Sequence, residues 1–255
     1  MIRNIVGMFF LVAMMCLPAR AGVEEIVCEG AYGGHLQGVC TDGTNIWWSF
    51  TVEIVKTDLS GKVLVSRKAR SHQGDLCVKD GVVYVAANHG RFNTENLADS
   101  WVESYDAATL EPKKAWKLPE VPHGAGGMTW KDDRFYVVGG LPPTHVKNYV
   151  YEYTPDFKFV KRHDLETGYT VLGIQTASWE KDRFFFGIYG AKDNPAGVLA
   201  CSADLQTFHR HRGGGAVGMA TINGKFYMAR TTLDAEAKKV KRPCWRARLF
   251  AAKRP

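Results

Sequence analysis

After residues 5–17 the 255-residue chain has no long uninterrupted apolar run, so no later segment is a candidate to span a membrane. Beyond residue 22 it also lacks a long apolar segment of period 3.6, which argues against a helical domain. Cysteines are few, six in all, and no Cys-x-x-Cys pair occurs, which disfavours a metal–thiolate cluster. Gly213-Gly214-Gly215 lacks the Lys-Ser/Thr of a phosphate loop. Gly124, Gly126 and Gly127 lead into a strand pattern, whereas a dinucleotide fingerprint opens a helix. A broad cationic face is missing too. The net charge is +7, but residues 234–255 hold eight basic residues against Asp234 and Glu236, and residues 22–233 sum to about −1. Nucleic acid is therefore not an expected partner. What remains, 45% hydrophobic and 23% charged residues, is enough for a sizeable core and excludes a disordered chain.

The N-terminus reads as a signal peptide, residues 1–21. Arg3 supplies the charged start, Ile5 to Leu17 the apolar stretch, and Ala19-Arg20-Ala21 an A-x-A cleavage site. The expectation is a periplasmic or secreted protein whose mature chain, residues 22–255, is one domain and a monomer. Five cysteines remain after cleavage, which allows at most two disulfides.

The mature chain repeats. Short aromatic strands centred on Trp47, Tyr84, Tyr136, Phe185 and Tyr227 each follow a charged or glycine turn. A stricter series is Asp58, Asp106, Thr154 and Ser202, spaced 48 residues apart. Each follows an alternating strand and opens a polar turn, a place suited to side chains that bond the turn backbone. Each unit reads as four strands. Such units with a period in the forties predict an all-β fold, a five-bladed β-propeller of four-stranded antiparallel blades. The fifth unit lacks its fourth strand. Glu25–Glu29, ahead of the first complete unit, is predicted to supply it and close the ring. Cys28 and Cys244 would then lie on neighbouring strands, either disulfide-bonded or as buried thiols. Cys40 and Cys77 occupy equivalent positions and read as inter-blade core.

Second-to-third connections are long in four units, at Ala87–Ser100, Gly139–Asn148, Gly190–Gly197 and Arg230–Pro243. They share one face with the entries to the innermost strands, where function tends to collect. His35, His72, Asp75 and His123 stand there as candidate catalytic residues. Candidate ligand-binding residues are Gln37, Trp48, His89, Arg91, Asn93, Tyr169, Gln175 and Tyr189. The histidines could ligate a divalent metal with Asp75. They could instead act as general acid and base, or simply bond channel backbone. No cofactor is identified. Lys238-Lys239-Val240-Lys241-Arg242 reads as a solvated loop.

The run His35-Leu36-Gln37-Gly38-Val39, the Asp42-Gly43 turn and Lys56-Thr57-Asp58-Leu59-Ser60-Gly61-Lys62-Val63 resemble the first blade of glutaminyl cyclotransferases. Val217-Gly218-Met219-Ala220 resembles their last-blade entry. The resemblance implies an exported five-bladed propeller. That family carries a Gly-Glu-Gly motif where this chain has His72-Gln73-Gly74-Asp75, with Asp75 in place of the glutamate. The repeats also resemble the gluconolactonase-like propellers. The leading expectation is a His-lined funnel binding a small or oligomeric polar ligand, carbohydrate or peptide. The alternatives are an enzyme of cyclotransferase, lactonase or lyase type using the same residues, and a protein-interaction scaffold whose funnel is closed by packed side chains.

Overall fold

A computed structural model describes residues 24–236 and 243–255. The signal-peptide expectation and the basic run 238–242 lie outside the described residues. Blade 1 is built from β3 (Leu36–Thr41), β4 (Asn45–Phe50), β5 (Glu53–Asp58) and β6 (Val63–Lys68). Blade 2 has β7 (Gln73–Lys79), β8 (Val82–Asn88), β9 (Ser100–Asp106) and β10 (Pro112–Lys117). Blade 3 has β11 (Ala125–Lys131), β12 (Arg134–Gly139), β13 (Asn148–Tyr153) and β14 (Phe159–Leu165). Blade 4 has β15 (Val171–Glu180), β16 (Arg183–Tyr189), β17 (Gly197–Ser202) and β18 (Phe208–Arg212).

Blade 5 joins the two ends of the chain. β19 (Met219–Ile222), β20 (Lys225–Leu233) and β21 (Cys244–Ala251) are completed by β1 (Glu25–Val27), antiparallel to β21 with Ile26 opposite Leu249. The short β2 (Tyr32–Gly33) also pairs with β21. The expected closure by the N-terminal strand is what the structure shows. The Cys28–Cys244 disulfide is not formed. Cys28 carries a free thiol and bonds through its backbone to Ala247, whereas Cys244 lies opposite Gly33. Burial pushes the Cys28 thiol up to about 12, so it is inert as a nucleophile.

The repeat at 48 residues is a turn device. Asp58 Oδ1 accepts from the Ser60 and Lys62 N–H, Asp106 Oδ1 from those of Ala108 and Thr109. Thr154 and Ser202 hydroxyls accept from Lys158 and Thr207 N–H at 3.0 Å each. The core is divided into five apolar clusters, one per blade interface. Trp47 of blade 1 packs with Leu76 and Val83 of blade 2, and Phe135 of blade 3 with Cys77 and Ala86 of blade 2. Tyr136 packs with Phe184, Phe185 with Phe226, and Trp48 with Tyr227 and Leu249. Cys40 and Cys77 lie in these interfaces, as expected. Among the described residues no helix is long and apolar enough to cross a membrane.

The innermost strands β3, β7, β11, β15 and β19 touch in cyclic order, and Asp75 of β7 ties them at the axis. Its Oδ1 accepts from Val39 N–H of blade 1 at 3.2 Å and its Oδ2 from Ala177 N–H of blade 4 at 2.8 Å. Glycine permits the approach: a Cβ at Gly38 would overlap the Asp75 carboxylate, and one at Gly74 the Gly126 carbonyl. Asn at position 75 can accept from one of these N–H groups but turns its own donor toward the other. Leaving a buried donor unmet costs about 1–3 kcal/mol. Asp75→Asn is therefore expected to lower the thermal unfolding midpoint by roughly 2–4 °C per kcal/mol in a chain this long. An unchanged midpoint by differential scanning calorimetry would show that Asp75 does not hold the ring.

Candidate functional site

On the long-loop face the axis opens into a cavity of about 120 Å³. Its walls come from four blades: His35 and Gln37 at the entry to β3, His72 and Gly74 around the start of β7, Ala125 and Gly126 of β11, and Leu172, Gln175 and Tyr189 of blade 4. Phe92, from the long loop of blade 2, covers one side. Backbone bonds within blades 1 and 2, and one between them, hold the histidines. His72 exchanges both backbone bonds with Asn88, Gln73 N–H donates to Thr51 O, and Thr51 N–H donates to His35 O.

Gln37 is the centre of the polar cluster. Its buried amide nitrogen donates to His35 Nε2 at 2.9 Å and to His72 Nε2 at 3.2 Å. With the amide nitrogen as donor, each imidazole accepts at Nε2 and carries its proton on Nδ1. The Tyr189 hydroxyl lies 3.4 Å from His35 Nε2. Burial lowers the pKa of both His35 and His72, and for His72 the neighbouring His35 adds to the effect. Gln175 is oriented by donation from its amide to Leu172 O at 2.6 Å. Among the described residues no Asp or Glu lines this cavity.

The structure thus brings together His35, Gln37, His72, Gln175 and Tyr189. The other sequence candidates fall elsewhere. Asp75 lies at the axis beneath the cavity, 2% exposed, its oxygens engaged by backbone. Trp48 is fully buried between blades 5 and 1, its indole N–H donating to Thr57 Oγ1; it faces core, not ligand. His89 is paired with Glu103 at 2.9 Å and Ser71 O at 3.0 Å. Arg91 is exposed on the loop, and Tyr169 is half-buried away from the cavity lining.

His123 forms a separate cluster, 4.7 Å ring to ring from His145. The Asn93 N–H donates to His123 O, and both Asn93 Oδ1 and His123 Nδ1 are buried without a hydrogen-bond partner. The three histidines and Asp75 do not converge. Among the described residues no group of three or more His, Cys, Asp or Glu is arranged to hold a metal ion.

Beside the cavity, and sharing His35, Leu172 and Tyr189 with it, lies an open cleft of about 530 Å³. Val171, Gly190, Val217, Thr231 and Trp245 complete it. The Trp245 ring stands edge-on to His35 at 5.9 Å between centroids. Neither Trp245 nor Thr231 was among the sequence candidates. The available signal was positional. Trp101, Tyr149 and Trp245 are each the second residue of the strand that follows a long loop.

The sequence matches no protein-family model and no curated protein. Its fold does have solved counterparts. A GH43_1 enzyme from Xanthomonas citri superposes with a TM-score of 0.61 at 9% identity, over 88% of this chain and 90% of that one. A xylan β-1,4-xylosidase from Bacillus halodurans gives 0.60 at 12% identity, over 86% of this chain and 53% of that one. A protein of unknown function from Bacteroides caccae gives 0.51 at 12% identity, over 88% and 89%. The chain spans about half the length of the xylosidase it matches. The resemblance to glutaminyl cyclotransferases gains no support from these comparisons beyond the shared architecture. At such identities the likeness shows the fold alone: an all-β, five-bladed propeller with structural neighbours among GH43 glycoside hydrolases.

Proposed function

We propose that the chain binds a neutral, hydroxylated ligand, a carbohydrate, in the His35–Gln37–His72 cavity. The observation that carries this reading is the absence of charge at the centre. Two imidazoles whose pKa burial lowers, two amides and a phenol line the cavity, and among the described residues no carboxylate does. A peptide terminus brings a full charge, and burying a charge without a partner is costly. Sugar hydroxyls both donate and accept, as this lining does. The fold neighbours include a GH43_1 enzyme complexed with xylotriose, which accords with the reading. Glycoside hydrolysis by the usual pair of carboxyl groups is not what this cavity is equipped for, so binding is favoured over glycosidase action. A second reading, general acid–base chemistry on the bound ligand by His35 and His72, has the neutral imidazoles in its favour.

Titrating a saccharide panel by calorimetry tests the site. Gln37→Leu removes the bridge between the imidazoles and is expected to weaken binding about tenfold, or roughly 1.4 kcal/mol. Arg91→Ala on the exposed loop should leave affinity unchanged. Equal affinities in the wild type and the Gln37→Leu variant would reject the site. Turnover of a bound saccharide, lost in His72→Ala, would favour the acid–base reading.

The pH dependence follows from the bridge. Protonated at Nε2, either imidazole would turn a donor toward the Gln37 amide. The folded-state pKa values are lowered from 6.5, so affinity is expected to hold through pH 6.5 and to fall only at lower pH, where the folded imidazoles take up protons. Conformational stability should begin to fall earlier, as pH drops below 6.5, because the unfolded chain takes up those protons first. Constant affinity from pH 7.5 to 4.5 would show that protonation of these imidazoles is not coupled to binding in that range.

A further inference from the structure

Away from the axis, three segments of the long-loop face meet at a second pair of histidines. Asn93 comes from the loop between β8 and β9, His123 from the connection into β11, and His145 from the loop between β12 and β13. The His123 and His145 rings stand 4.7 Å apart between centroids at 68°, with the Tyr149 ring 6.3 Å from the first and 6.5 Å from the second. The Asn93 N–H donates to His123 O at 2.8 Å. Glycine at position 140 permits this approach: a Cβ there would overlap His123 O and come within 3.1 Å of Asn93 Oδ1.

Polar atoms are left over where these segments meet. His123 is 4% exposed, and its Nδ1 is buried without a hydrogen-bond partner. Asn93 Oδ1 is buried and unpartnered as well. Orphaned buried polar atoms are destabilising and call for a partner. His145 complements them. Its Nδ1 lies 3.2 Å from Thr144 Oγ1. With that hydroxyl as acceptor, Nδ1 carries the proton and Nε2 presents a lone pair.

Imidazole nitrogens suit zinc, copper and nickel, and an amide oxygen can join them. Burial lowers the pKa of His123 and the neighbouring His145 adds to the effect, which favours the neutral imidazole that binds metal. Glu95 and Arg162 act on His123 in opposite directions. The spacing fits too. Two imidazole nitrogens about 2.0–2.1 Å from a tetrahedral zinc put their ring centres roughly 5 Å apart, close to the observed 4.7 Å.

We infer that His123, His145 and Asn93 Oδ1 form a site for a divalent transition-metal ion of zinc or copper type, which joins the long loops of blades 2 and 3. The site is separate from the His35–Gln37–His72 cavity and does not depend on the carbohydrate reading. It bears on that cavity through Phe92, which borders it and immediately precedes Asn93.

Calorimetric titration of the chelator-treated mature chain with Zn²⁺, Cu²⁺ and Ca²⁺ salts tests the site, alongside thermal unfolding. His209 and His211 lie exposed on one face of the edge strand β18 and can chelate adventitiously, so the titrations are run in the wild type and in His209→Ala/His211→Ala. Both proteins are expected to bind one equivalent of Zn²⁺ or Cu²⁺ that raises the unfolding midpoint, with Cu²⁺ the tighter. Ca²⁺, which prefers oxygen ligands, should do neither. His145→Ala, at a half-buried loop position, should weaken Zn²⁺ binding at least tenfold and remove the midpoint rise. Asn93→Asp keeps the side-chain shape and replaces the amide oxygen by a carboxylate, so Zn²⁺ should bind about tenfold tighter. Failure of both Zn²⁺ and Cu²⁺ to bind the folded wild type would overturn the inference and leave the orphaned atoms to water. Binding that is unchanged in His145→Ala, or lost in His209→Ala/His211→Ala, would overturn it by placing the ion elsewhere. Equal Zn²⁺ affinity in the wild type and Asn93→Asp would reject the three-ligand site, and this arm decides even where His145→Ala impairs folding.

Discussion

A single buried carboxylate sets the geometry of the ring. Asp75 belongs to blade 2 but bonds the backbones of blades 1 and 4, so three of the five inner strands are tied through one side chain. Burial pushes its carboxyl well above the ordinary range, against the pull of the N–H groups of Ala177, Leu76 and Val39. Burying a charge costs several kcal/mol even after relaxation. Hydrogen bonds to a charged acceptor return about 1.5–3 kcal/mol each. These bonds hold the inner strands within bonding distance of the axis. Glycine at positions 38 and 74 makes that approach sterically possible.

The site inherits this arrangement. Asp75 lies at the axis beneath the cavity, and the functional groups gather on one side of it only. Backbone bonds within blades 1 and 2, and the Gln73–Thr51 bond between them, position His35 and His72. The same packing that buries these imidazoles lowers their pKa, and Gln37 Nε2 lies within bonding distance of both. The outer cleft follows from ring closure. β21 is locked between β20 and β1, which fixes Trp245 beside His35 and Tyr189.

The architecture was legible in the sequence for simple reasons. Asp58, Asp106, Thr154 and Ser202 recur at a constant interval because each closes the same turn by bonding its backbone. Strand alternation marks which residues face the neighbouring blade. The missing strand of the last unit and the spare one at Glu25 are complementary defects, and unpaired edges drive them together. The site was legible in part. Its entry positions on the inner strands pointed to His35, Gln37, His72 and Gln175. The same logic also selected Asp75 and His123, and Trp48 stood out as a candidate aromatic, because spacing gives the face of the ring but not the depth.

Depth and direction are tertiary properties. Whether Asp75 reaches ligand or ties the inner strands depends on how closely five inner strands approach, which no local pattern encodes. Trp48 and Trp245 look alike as strand tryptophans. One is buried between blades 5 and 1, and the other stands at the mouth of the cavity. The sequence by itself determined the repeat, the turns, the blade count and the closing strand, since each rests on near-neighbour hydrogen bonds and period-two alternation. Only the assembled ring decided that Asp75 lies beneath the cavity, that His35, Gln37 and His72 meet within it and that it adjoins the cleft at Trp245. Those features arise where side chains from four blades, far apart along the chain, meet at one axis.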